Sequence, residues 1–306
     1  PPSPFDPPFM AGRVNYKYRV MTREVTVGEW FEFVQAYAPH YDGSGPNLEF
    51  TGVNIVWQGS SGGVPQYQIS PGTENRPVAV GWRYMARYAN WLTNSKALDG
   101  AAFESGAYDT STFGVIEVNG VNTLTDQRER SEGARFWIPS FDEWSKAGHW
   151  DPDRYGEDQG GWWLYPNTSD TAPVSGEPGL GGETNGGPFP PGQTRPLDVL
   201  SYPHVQSPWG LFDVSGGATE WLEEISEPLF RLASGTGIDF TGLQPATWDR
   251  LGMSEDELPT RLHGIRIASV IPSPGTFVVL GWLLVLRRRR ITCSGSTLCF
   301  GPRASG

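Results

Sequence analysis

The sequence predicts one loop-rich domain in which short helices and short strands pack around an aromatic core. Three observations predict it. Gly 39 and Pro 27 together exceed a fifth of the 306 residues, too many for long regular elements. The 13 Trp oppose disorder, because disordered chains lack the aromatic surface that drives collapse. Hydrophobic spacing switches between the strand and helix periods along the chain, and no fixed-period repeat or linker divides it.

The elements follow in order. Residues 1–12 are Pro-rich and read as an extended lead-in. Val14, Tyr16, Tyr18 and Val20 alternate with polar residues, as in a half-buried strand. Thr26 and Glu29 have capping-box spacing, in which each satisfies an exposed N–H at a helix start. Trp30, Phe31, Val34, Tyr37 and Ala38 continue that helix, and Pro39 ends it. Residues 40–77 are loop-like, with strand patches at Val53–Trp57 and Tyr67–Ile69. The segment Gly59–Gly63 fits Gly-x-Ser-x-Gly, but a strand rather than a helix follows it, so it reads as a hairpin loop. A second helix spans Trp82–Thr93. Ser140 and Glu143 form another capping box before a short helix carrying Trp144 and Ala147. Residues 150–208 read as loop, and Gly264–Val270 as a closing strand.

Beyond residue 270 the character changes. Thr276–Leu286 carries no charge, and Arg287, Arg288, Arg289 and Arg290 follow it. An apolar helix stopped by arginines predicts a membrane anchor whose basic end faces the cytoplasm. Residues before 270 are then expected outside the cytoplasm. The chain starts at Pro1 without a charged-plus-apolar leader, so a secretory signal is expected to have been removed or to lie outside this sequence. Net charge is −11, and taking away the five arginines at 287–290 and 303 leaves about −16 for the rest. Such a surface repels phosphate backbones and excludes nucleic acid as a partner. Cys293 and Cys299 are the only cysteines, so residues 1–269 have no disulfide and no thiol chemistry.

Several segments, taken together, resemble the formylglycine-generating, sulfatase-modifying-factor family. They are Tyr18–Gln35, Arg76-Pro77-Val78 with Trp82–Leu92, Ile138-Pro139-Ser140 with Glu143-Trp144, Ser207–Trp221 (SPWGLFDVSGGATEW), and Gly264–Ala268. The resemblance implies an α+β fold of low regular-structure content, related to the C-type-lectin fold, over residues 13–269. It also implies a copper site made by two cysteine thiolates near the end of the domain. The matching stretch, Phe230–Gly252, contains no cysteine, so no copper is expected and no catalytic residue is assigned. The family's other branch uses an iron site built from histidines. His40, His149, His204 and His263 are scattered here without paired spacing. Calcium is implied at Asp213, Gly216, Ala218 and Glu220, two carboxylates and two main-chain carbonyls forming a hard oxygen set. The bland alternative there is a turn with a solvated Asp and a salt-bridged Glu. Asn185 is a candidate for a second such site. Trp162, Trp163 and Tyr165 could stack on a sugar ring, although such clusters more often fill a core.

The C-terminal order of parts resembles the PEP-CTERM sorting signal of exported bacterial proteins. Pro272, Ser273, Pro274 and Gly275 stand where its motif would be, without the Glu, and the polar tail 291–306 is a departure, expected to be disordered. That resemblance implies a sorting protease or transpeptidase of the exosortase type as partner. The expectation for the whole is an exported, surface-sorted, non-catalytic binding or scaffold module, with an extracellular polysaccharide or protein as its ligand. The competing class is an oxidoreductase acting through a different site, and copper content with oxygen consumption separates the two.

Overall fold

The computed structural model describes residues 12–43, 45–237 and 245–271. Contacts divide the chain into Pro1–Val270 and Ile271–Gly306. The sorting-motif residues, Thr276–Leu286, the arginine block and both cysteines lie outside the described residues. Among the described residues no helix is long and apolar enough to cross a membrane.

Strand β1 (Tyr18–Val20) pairs antiparallel with β12 (Ala268–Val270), which pairs with β6 (Phe136–Trp137). The two ends of the domain therefore meet in one small sheet. The expected strand is shorter than its alternation suggests. Lys146 Nζ donates to Val14 O at 2.8 Å and Tyr16 OH to Glu143 Oε1 at 2.7 Å, so side chains rather than a strand partner hold residues 14–17.

Helix α1 (Val27–Tyr37) starts at the predicted capping box, with Glu29 N donating to Thr26 Oγ1 at 3.2 Å and Thr26 N to Glu29 Oε2 at 3.0 Å. Pro39 stops it in a 3-10 turn. A short helix α2 (Leu48–Thr51) precedes the hairpin of β2 (Ile55–Ser61) and β3 (Val64–Ile69), whose turn is Gly62-Gly63. Helix α3 (Trp82–Thr93) buries Trp82, Met85, Ala86, Ala89 and Trp91 against α1 and the one-turn helix α4 (Ala101–Glu104). The hairpin β4 (Val115–Val118) and β5 (Val121–Leu124) stands apart on the surface. Helix α5 (Phe141–His149) opens at its own predicted capping box. A two-residue hairpin, β7 (Trp150–Asp151) with β8 (Gly161–Trp162), follows it.

After a long irregular stretch, β9 (Glu220–Glu227), β10 (Phe230–Ser234) and β11 (Glu255–Glu257) form a second antiparallel sheet, with helix α6 (Pro245–Trp248) in the connection. The main core joins Trp30, Phe33, Phe50, Trp82, Trp91, Phe103 and Trp221. Burying each such ring stabilises the fold by roughly 1.5–3 kcal/mol. A smaller cluster of Trp144, Ala147, Leu211, Val214 and Leu222 lies under α5. Between them sits the polar turn 213–220.

Candidate functional site

The turn Asp213–Glu220 is built by close backbone approach. Asp213 adopts a left-handed φ of 54°, and Gly216 and Gly217 have φ of 93° and 63°. Gly217 is required twice over, since a Cβ there would also lie 2.0 Å from Glu24 Oε2. Asn185 Oδ1 accepts from Gly217 N at 2.8 Å, so Asn185 braces this same turn.

Glu220 begins β9 and is 2% exposed. Its Oε1 accepts from Arg266 Nη2 at 2.8 Å and Nε at 3.1 Å, and its Oε2 from Trp144 Nε1 at 2.7 Å. Arg266 also donates to Met21 O and Phe212 O at 3.0 and 2.8 Å. One guanidinium thus ties together β9, the segment leading into β12, the start of the chain and the turn. Asp213 Oδ2 accepts from Leu200 N at 2.7 Å. Glu24 is fully buried. Its Oε1 takes Ala218 N at 2.7 Å, and its Oε2 is a buried acceptor without a hydrogen bond. Burial, and then the nearby Glu220 and Asp213 carboxylates, push Glu24 well above the usual carboxylate range, while Arg266 acts the other way. Asp213 is raised as well, first by burial. Three acids therefore crowd around Arg266, with Arg23 a second cation near Asp213.

The predicted set is thus gathered in one turn, but Glu24 and Arg266 belong to the same arrangement and were not in it. Among the described residues no group of three or more His, Cys, Asp or Glu side chains is arranged to hold a metal. A cation here would depend on Asp213, Glu220 and main-chain oxygens.

A second buried network surrounds Arg130, whose guanidinium lies 4.2 Å from the Trp137 ring centre. Glu143 accepts from Trp137 Nε1 at 3.0 Å, from Ser140 N at 2.9 Å and from Arg130 Nη2 at 3.2 Å. Glu223 accepts from Tyr108 OH at 2.8 Å and Arg130 N at 2.7 Å, and burial pushes it up to about 7. Both acids bind protein groups and hold the helix start, β6 and β9 together.

In Phe230–Gly252 several described polar groups are likewise engaged, while Arg231 Nε and Thr236 Oγ1 are buried without a hydrogen bond. Arg231 stacks 3.4 Å over Trp82. Ser234 Oγ donates to Met253 O at 3.1 Å. Asp249 accepts from Thr236 N at 2.6 Å and from Ser215 Oγ, and burial pushes it up to about 7. The buried histidines His149 and His263 are lowered to about 4 by desolvation and are neutral at physiological pH. Trp163 lies under Arg154 at 4.2 Å and Tyr165 OH donates to Ala246 O at 2.9 Å. That aromatic run therefore packs loops together.

Two open cavities flank these networks. One, of about 1030 Å³, is lined by Tyr41, residues 45–49, Glu257 and residues 260–263. The other, of about 690 Å³, borders Tyr16, Arg130 and Glu224.

A mixed, loop-rich domain with a buried polar turn before its Glu-Trp strand defines a scaffold class rather than an activity. Residues 10–238, well over half of the chain, match the family model described as sulfatase-modifying factor enzyme 1-like domain (FGE-sulfatase), and the chain belongs to that family. A search of curated proteins gave no match.

Proposed function

We propose that this chain is an exported, surface-sorted member of the sulfatase-modifying-factor family that acts as a non-catalytic, calcium-stabilised binding module. One observation carries the non-catalytic part: Phe230–Gly252 contains no cysteine where the family's copper thiolates are expected. Arg231, Ser234 and Asp249 in that stretch serve the fold, since each is buried and makes contacts inside it. Hydroxyls and carboxylates are hard donors and hold Cu(I) weakly.

Calcium suits the donor chemistry of the turn. Glu24, Asp213 and Glu220 crowd around Arg266, with Arg23 near Asp213, and Glu24 Oε2 is orphaned, so a divalent cation would offset the excess of acid that remains. Asp213, Glu220 and the carbonyls of Gly216 and Ala218 would hold it, with Glu220 shared with Arg266. Export and sorting rest on the order Pro272–Gly275, Thr276–Leu286 and Arg287–Arg290. Exosortase-type processing follows from that order, and an extracellular polysaccharide or protein is the expected ligand class. Mass spectrometry of the protein from its native cell surface checks this, since intact chain through Gly306 in the extracellular fraction speaks against it.

The experiment for the non-catalytic reading is Cu(I) loading of the full chain with Cys293→Ser and Cys299→Ser, followed by exchange against a weak thiol chelator. The expected result is complete loss of copper. Retention of one tightly held ion per chain would favour an oxidoreductase acting through another site.

A further inference from the structure

The larger cavity presents hydrogen-bonding groups of both kinds around one aromatic wall. Tyr41 forms that wall and is fixed by stacking on Phe50, ring centres 5.1 Å apart at 29°. Glu49 enters from α2, half-buried, with its carbonyl accepting from Gly81 N at 2.8 Å and its carboxylate lining the groove. Burial raises its pKa, while Arg83 acts the other way. Opposite it come Glu257, at the end of β11, and Thr260 and Arg261 just after it. Arg261 Nε is 3.5 Å from Glu257 Oε2, and the arginine side chain remains 69% exposed, so most of its donors face solvent. His263 closes the groove, buried and neutral.

Charge and donor type narrow the ligand. Two carboxylates against one arginine repel a polyanion. A simple cation would leave the donors of Arg261 and Thr260 unmatched. The lining has too few apolar side chains for a lipid tail. A ligand whose groups both donate and accept fits all of these. Hydroxyls can donate to Glu49 and Glu257 and accept from Arg261 and Thr260, and the C–H face of a ring can lie on Tyr41. We infer that the groove lined by Tyr41, Asn47, Glu49, Glu257, Thr260 and Arg261 binds a neutral, polyhydroxylated ring ligand, namely a neutral oligosaccharide chain. The inference rests on the reading of this domain as a binding module and names the ligand class of its groove.

The test is isothermal titration of the full chain, without copper, against cellohexaose, mannohexaose and maltohexaose. A hexagalacturonate and a hexalysine peptide form the charged arms. The expected result is saturable binding of at least one neutral hexasaccharide over both charged oligomers. Arg261→Ala and Glu49→Ala, each checked for an unchanged melting transition, should weaken it about tenfold, the usual effect of losing a hydrogen bond to a charged group. Leu180→Ser, at an exposed position outside the groove, should leave it unchanged. If neither variant keeps its melting transition, Arg261→Lys and Glu49→Gln are read in the same way. No binding of any neutral hexasaccharide at millimolar concentration overturns the inference. So does tighter binding of either charged oligomer, or equal binding by the groove variants. Oxidation of a cysteine peptide by the protein would overturn the non-catalytic reading but leave these titrations as they stand.

Discussion

Replacing Arg266 with methionine tests the polar turn most sharply. The guanidinium is 1% exposed and makes its bonds to Glu220, Met21 O and Phe212 O inside the fold. Methionine fills much of the same volume and supplies no charge. Glu220 would keep only the Trp144 N–H, Glu24 would lose the cation that offsets it, and Asp213 would keep only Arg23. Removing one member of a buried pair costs about 3–5 kcal/mol, and each orphaned carbonyl adds about 1 kcal/mol. The total, about 5–7 kcal/mol, is a large part of the roughly 5–15 kcal/mol that holds a domain together. At roughly 2–4 °C per kcal/mol, the melting temperature should fall by about 10–30 °C. Urea unfolding in chelator, at neutral pH, measures it for Arg266→Met, Glu220→Gln and the double variant. The double variant should be less unstable than the two single losses added together, because it leaves no unpaired charge between these partners. Single variants within about 1 kcal/mol of the parent would refute the reasoning.

Calcium added to chelator-stripped protein should raise its melting temperature, by an amount equivalent to ~2.7 kcal/mol at a hundredfold excess over the dissociation constant. Glu220→Ala should abolish the calcium-dependent increment, and equal melting with calcium and with chelator in the parent protein would count against the site. Gly217→Ala should destabilise by more than about 2 kcal/mol, since its Cβ would meet Glu24 Oε2 and its φ is 63°. Recovery on adding Glu24→Ala should be partial, because the backbone strain remains. Asp249, Glu223 and Glu224 are all raised to about 7, chiefly by burial. The folded state then holds protons that the unfolded chain releases from about pH 4, so stability declines from there to about pH 7 and levels off above it. Asp249→Asn should match the parent near pH 4, be the more stable protein near pH 8, and show a shallower slope between; an unchanged slope would mean that Asp249 does not titrate in that window.

Local chemistry explains what the sequence made legible. Both capping boxes name their helices because the Ser or Thr and the Glu three residues later satisfy backbone donors within one turn. Trp82–Thr93 is legible because its buried side chains recur at helical spacing. The β4–β5 hairpin was missed although Asn119-Gly120, both at positive φ, is a strong hairpin signal. Its strands expose Val115, Ile116, Val118 and Val121 and lack the in-out alternation used to find strands. Strand β9 was missed for the opposite reason. It buries Glu220 and Glu223 beside Trp221 and Leu222, so polarity does not mark its outer face. The turn 213–220 was legible as an oxygen-rich segment, but its partners were not. Glu24 lies 194 residues before Ala218 in sequence, and Arg266 lies 46 after Glu220. Only the folded chain joins them, and the one local hint was a Glu placed just before the buried Val25.

The central claim is that this domain keeps the sulfatase-modifying-factor frame without its oxidative chemistry. Oxygen consumption and aldehyde formation, followed together for the full chain with Cu(I) and a sulfatase-type cysteine peptide, test it directly. The account predicts rates equal to those of copper and peptide alone, with the peptide cysteine recovered intact. Sustained conversion of that cysteine to an aldehyde, with oxygen consumed in proportion and copper bound one per chain, would contradict it.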